Sequence, residues 1–141
     1  MKIKDLRPGD EVYELISERE RKERRVSVIG VGYTVASIDQ KYITFESHDE
    51  RLRDGFRLKL NNYGEHTLPC EYHHDPAAVI YATMDDVAEE RRYALAYDAL
   101  VDEIAGLVRK IESTTREQRP PASAIEALNF AIHSVIQRFN T

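Results

Sequence analysis

The chain has 141 residues, with 20 Lys and Arg against 25 Asp and Glu, a formal net charge of −5 at pH 7. Apolar residues make up 42% and charged residues 32%, which excludes a disordered chain and a histone-like cation and removes any bulk attraction for nucleic acid. No apolar run approaches the ~20 residues that span a bilayer, the single cysteine (Cys70) excludes an internal disulfide, and the opening MKIKDLRPGD holds no secretory apolar region. These features predict a single cytoplasmic domain over residues 1–141, with no membrane partner.

The first part, residues 1–82, reads as β-structure. Pro8-Gly9-Asp10 is a turn that feeds a strand over 11–16. RRVSVIGVGYTVASI follows, and its Gly30 and Gly32 predict a bulge or sharp bend. Asp39-Gln40 turns into KYITFES, giving a hairpin over 25–47. After Asp54-Gly55 the strand FRLKL alternates cleanly, with Phe56, Leu58 and Leu60 on one face and Arg57 and Lys59 on the other. Asn61–Gly64 turns again, and 78–82 completes a sheet of about five strands.

Near residue 83 the period becomes helical. Tyr97, Leu100, Val101, Ile104, Leu107, Val108 and Ile111 form one apolar stripe, with Thr83 as N-cap. Ser113–Thr115 and Pro120-Pro121 interrupt it. Ser123-Ala124-Ile125-Glu126 has the capping-box pattern of a second helix, whose stripe is Ile125, Leu128, Ile132, Val135, Ile136 and Phe139. The expected fold is therefore α+β: a small antiparallel sheet or SH3-like barrel of about five strands (1–82), then a two-helix hairpin (83–141). The two stripes exceed what one small sheet face covers, which predicts a homo-oligomer.

Several clusters bear on function. The run Arg19–Arg25 mixes five basic with two acidic side chains and reads as a solvated hairpin loop. Gly30-Val31-Gly32 begins like a dinucleotide fingerprint, but Val35 stands where a third glycine belongs and no helix follows, so that reading fails. His66, Cys70, His73, His74 and Asp75 have metal-like spacing. Without a second ligand pair, a polar loop folded without metal is expected, and no cofactor is implied. Cys70 lies near His73 and His74 in sequence without the signature of a nucleophilic site, and no paired-carboxylate or phosphate-loop pattern appears, so no enzyme is expected. The strongest binding signal is cationic and aromatic. Arg51, Arg53, Arg57 and Lys59 fall within nine residues, and Tyr42 shares the outward face with Arg57 and Lys59. Guanidinium can hold phosphate and an aromatic ring can stack on a base, so Tyr42, Arg53, Arg57 and Lys59 form a candidate site, with Arg92 and Tyr93 (next to Arg91) as further contributors.

The order of elements carries a resemblance. A sheet opening with LRPGDEVY, the hairpin VASIDQKYITFES and two C-terminal helices resemble the phage Thoeris anti-defence sponge proteins. That resemblance implies a homo-oligomer that sequesters cyclic ADP-ribose isomers without degrading them, inside an infected bacterium. The alternative is an SH3-like interaction module that inhibits a host protein or binds nucleic acid, as an anti-CRISPR or host-takeover protein would.

Overall fold

The computed structural model describes residues 1–74 and 77–140; Asp75 of the metal-like run, the Pro76 that follows it, and the side chains of His73 and His74 lie outside the described residues. Two compact units are present, Met1–Asp98 and Ala99–Thr141, and their boundary falls inside a long helix rather than where the sequence period changes.

In the first unit, six strands form one antiparallel sheet: β1 (Glu11–Leu15), β2 (Gly30–Ile38), β3 (Tyr42–Ser47), β4 (Phe56–Lys59), β5 (Cys70–His74) and β6 (Ala77–Tyr81), in the order β4-β3-β2-β1-β6-β5. The alternation of each strand decides its facing. Val12, Glu14 and Ile16, Val31, Tyr33 and Val35, Ile43 and Phe45, and Leu58 and Ile80 turn inward and are buried, while the residues alternating with them are more exposed. Ile3 and Leu6, on the N-terminal 3-10 turn, close one end of this core. The sheet curls into a nearly closed barrel. Among the described residues its edge strands share no backbone ladder, yet Phe56 of β4 stacks on Tyr72 of β5 with ring centroids 4.3 Å apart. Phe45 stacks on the other side of Phe56 at 4.8 Å, and Tyr33 meets it edge-on at 5.0 Å. Aromatic side chains thus bridge the two edges of the sheet.

The predicted turns form as their chemistry demands. Gly9 supplies a positive φ of 92°, and the Asp10 carboxylate accepts from the Arg7 amide at 2.8 Å. Asp39 accepts from the amides of Lys41 and Tyr42 at 2.7 and 2.8 Å, and these two bonds hold its carboxyl below the usual range. Other expectations are corrected. The pairing runs regularly through Gly30 and Gly32, and the β2 bulge falls between Val35 and Ser37. Gly32 serves a different need: a Cβ there would collide with the His48 ring lying against the strand.

Arg19–Arg25 is not a loop. Helix α1 (Glu18–Arg24) occupies it, capped by Ser17 Oγ accepting from the Glu20 amide at 3.2 Å. Its Arg19–Glu23, Arg21–Glu18 and Arg24–Glu20 pairs support a helix that has no apolar stripe of its own. The polar stretch expected as a loop holds β5, and the turn at Asn61–Gly64 contains the single helical turn α2 (Leu60–Tyr63). Six strands thus replace about five.

Helix α3 (Met84–Ser113) starts as predicted, with Thr83 Oγ1 accepting from the Asp86 amide at 3.1 Å. Helix α4 (Ala122–Phe139) begins with no side-chain cap, so Ser123 lies inside its first turn; the capping box is made instead by Thr115 and Gln118 in the connecting 3-10 turn. Within the second unit the apolar stripes stay open. Val101, Ile104, Val108 and Ile111 of α3 and Ile125, Ile132, Val135, Ile136 and Phe139 of α4 are all exposed, and α4 has no buried residue.

Candidate functional site

Strand pairing sets the cationic face. In the β3–β4 register Tyr42 sits opposite Lys59 and Thr44 opposite Arg57, while Ile43 and Leu58 pair on the buried side. Arg57 and Lys59 are exposed, and the Arg57 guanidinium lies over the Tyr42 ring with its carbon 4.4 Å from the centroid. Such stacking restricts an otherwise floppy side chain and leaves the N–H edge of the guanidinium available to an anion. Three of the residues expected to act together are therefore brought together.

Arg53 has another occupation. Its guanidinium donates to both carboxylate oxygens of Glu20, at 2.5 and 2.7 Å, and its Nε donates to Glu14 at 3.2 Å. The Glu20 hydrogen bonds, with the charges of Glu14 and Glu20, raise the Arg53 pKa further, and Arg53 holds the Glu20 carboxyl below its usual range. Glu14 itself is 6% exposed. It accepts from the Tyr33 hydroxyl at 2.6 Å and from the Tyr72 hydroxyl at 3.4 Å. Burial, reinforced by the Glu14 charge, pushes the Tyr72 phenol up to about 12, and burial pushes Tyr33 upward too. A carboxylate inside the barrel is thus satisfied by one cation and two phenols, tying β1, β2, β5, α1 and the β3–β4 connection to one point. Sequence reasoning missed it. The signal was present, because Glu14 falls between Val12 and Ile16 on the inward side of β1.

The α3 residues are placed separately. Arg92 pairs with Glu89 at 2.8 Å on the helix surface, Arg91 reaches Glu18 of α1 at 2.8 Å, and the exposed Tyr93 stacks with Tyr97, centroids 6.3 Å apart. Arg51 is exposed and pairs with Asp49 at 3.4 Å.

Two other polar clusters bring chemically reactive side chains together. Cys70 Sγ lies 3.6 Å from His66 Nδ1, but burial pushes its thiol up and disfavours the thiolate that attack or metal ligation needs. Among the described residues no three His, Cys, Asp or Glu side chains converge as metal ligands. The lack of a second ligand pair in the sequence predicts that a chelator leaves the melting temperature unchanged; a drop accompanied by stoichiometric release of zinc would show that the His66–Cys70 region is a metal site. On the outer face His48 Nε2 lies 2.6 Å from Thr34 Oγ1 and 3.8 Å from Glu11 Oε1. Both partners face the same ring nitrogen, so the imidazole cannot relay a proton between them as a catalytic triad requires. Among the described residues no helix is long and apolar enough to cross a membrane. Comparison with known protein families, curated proteins and solved structures gives no match that would place the chain beside a characterised relative.

Proposed function

We propose that the protein is a self-assembling, non-catalytic binding protein that captures a phosphorylated cyclic nucleotide of the cyclic ADP-ribose-isomer class and holds it intact. The observation that carries this reading is the Arg57–Tyr42 stack beside Lys59, on a strand pair whose other side is anchored in the core. Arg57 offers a planar donor edge to a phosphate, Lys59 adds a second positive charge, and the stack leaves a flat cationic surface on which a purine can lie. Arg53 stands outside this site because Glu14 and Glu20 hold it. Stoichiometric capture demands slow release rather than turnover. The phage-type anti-defence role and the bacterial cytoplasm as its setting belong to the same proposal.

Calorimetric titration with a cyclic ADP-ribose isomer tests the site. Hydrogen bonds to charged groups contribute roughly 1.5–3 kcal/mol, so Arg57→Ala should weaken binding about ten- to a hundredfold while the thermal melt stays that of the parent. Leu58→Ala, one residue along but buried, should instead destabilise the fold by about 2–5 kcal/mol. Binding undiminished by Arg57→Ala would remove the β3–β4 face from the account.

A second reading, an interaction module that occupies a host protein, is favoured by the apolar surface left open on α4, where Phe130 is 74% exposed. Under it the protein gives no heat with any cyclic nucleotide.

A further inference from the structure

The second unit carries more exposed apolar surface than a helix in water tolerates, and the pattern of that surface specifies a partner. On α3, Leu100, Ile104, Leu107 and Ile111 repeat at alternating steps of four and three, the a and d seam of a coiled coil. Ile104 and Ile111 then occupy a positions, and Leu100 and Leu107 occupy d positions. Val101 and Val108 fall at e, Glu103 and Lys110 at g. Leu100, Val101, Ile104, Val108 and Ile111 are all exposed, the last by 56%. A groove along this face is lined by Leu100, Glu103, Ile104, Leu107 and Lys110. Helix α4 repeats the pattern with Ile125, Leu128, Ile132, Val135 and Phe139. Over its 18 residues Glu126 and Arg138 are the only formal charges among Asp, Glu, Lys and Arg.

The charges select the orientation. In a parallel pair each g residue faces an e residue of the other helix, and here e holds only valine. In an antiparallel pair g faces g. Glu103 of one copy then meets Lys110 of the other, and the two-fold axis repeats the contact in reverse. Neither side chain has an ion pair within its own chain among the described residues. The exposed apolar side chains run the length of both helices, from Leu100 to Ile111 on α3 and from Ile125 to Phe139 on α4, and they supply apolar surface for a standard stable interface of about 800 Å² per partner.

We propose that the occupant of this face is a second copy of the chain, with residues 99–113 of α3 paired antiparallel about a two-fold axis near Leu107 and joined by reciprocal Glu103–Lys110 ion pairs. Valine at e widens the seam beyond what two helices bury, and the α4 helices of both copies complete a four-helix arrangement. An isologous contact of this kind closes on itself and gives a dimer rather than a filament. The proposal rests on the self-assembly in the reading above and is independent of its ligand.

Sedimentation of the full-length, ligand-free chain tests it by charge reversal. The parent protein should be a dimer. Glu103→Lys places two like-charge pairs across the axis, as does Lys110→Glu, and each should weaken the dimer about tenfold or more. Mixing the two variants restores both pairs and should yield a heterodimer at parental affinity, as should the double variant E103K/K110E as a homodimer. These substitutions lie on the exposed flank of a helix, and unchanged circular dichroism confirms that folding is intact. A monomeric parent protein overturns the self-assembly itself. Parental dimerisation by both single variants, or failure of the mixture to restore it, overturns the antiparallel pairing while leaving the ligand site untouched.

Discussion

Phe56→Ala is expected to lower stability by about 3–5 kcal/mol, the range for truncating a large ring in a packed core. The residue is only partly buried, but it is the joint between the barrel's ends. Its ring lies 4.8 Å from that of Phe45 and 4.3 Å from that of Tyr72, on the two sides of the gap between β4 and β5. Removing it takes away the Phe56–Tyr72 stack that joins the two edge strands. Phe56→Leu keeps most of the volume and should lose only the ring-specific part, about 1 kcal/mol. Chemical denaturation of both variants decides the matter. If Phe56→Ala costs no more than Phe56→Leu, the aromatic stack does not close the barrel.

Arg53→Met should be nearly as damaging, at about 3 kcal/mol, because it strands the buried Glu14 carboxylate without its cation. The expected fall in melting temperature is roughly 10 °C for a domain of this size. Adding Glu14→Gln to Arg53→Met removes the uncompensated charge and should recover part of the loss. Arg51→Met is the contrast, two residues away with a side chain 93% exposed, and should change stability by less than about 0.5 kcal/mol. Equal melts for the two methionine variants would mean that the Glu14–Glu20–Arg53 network does not hold the fold together.

The elements that were legible in the sequence are those whose apolar pattern is uninterrupted. KYITFES alternates without exception and its inward Ile43 and Phe45 are buried; in FRLKL the inward Leu58 is buried and Phe56 partly so, while Leu60 leaves the strand to open α2. The stripes of α3 and α4 were equally plain. What was missed had its pattern masked. In β5 the inward Cys70 and Tyr72 are separated by Glu71 and surrounded by histidines and prolines, so the strand looked like a loop. Helix α1 buries nothing and so has no stripe to read, yet Ser17 three residues ahead of Glu20 is a capping pattern that points to it.

The candidate site divides along a similar line. Tyr42, Arg57 and Lys59 were placed correctly relative to one another because strand alternation and hairpin register fix them locally. Arg53 could not be placed, because its partners Glu14 and Glu20 are 39 and 33 residues away in the chain. Long-range pairing of charges leaves no periodic trace in a sequence, whereas a glutamate on an inward strand position does. Glu14 should be read as a demand for a buried partner wherever such alternation is seen.

The central claim, capture of an intact cyclic nucleotide, is tested most directly by recovering the ligand. The protein is mixed with a limiting amount of a cyclic ADP-ribose isomer and passed through a filter that retains it. It is then heated, and the released fraction is analysed by chromatography. The account predicts that the nucleotide is retained with the protein and returns after heating in full yield and unchanged. Nucleotide that passes freely through the filter, or that returns opened or hydrolysed, would contradict it.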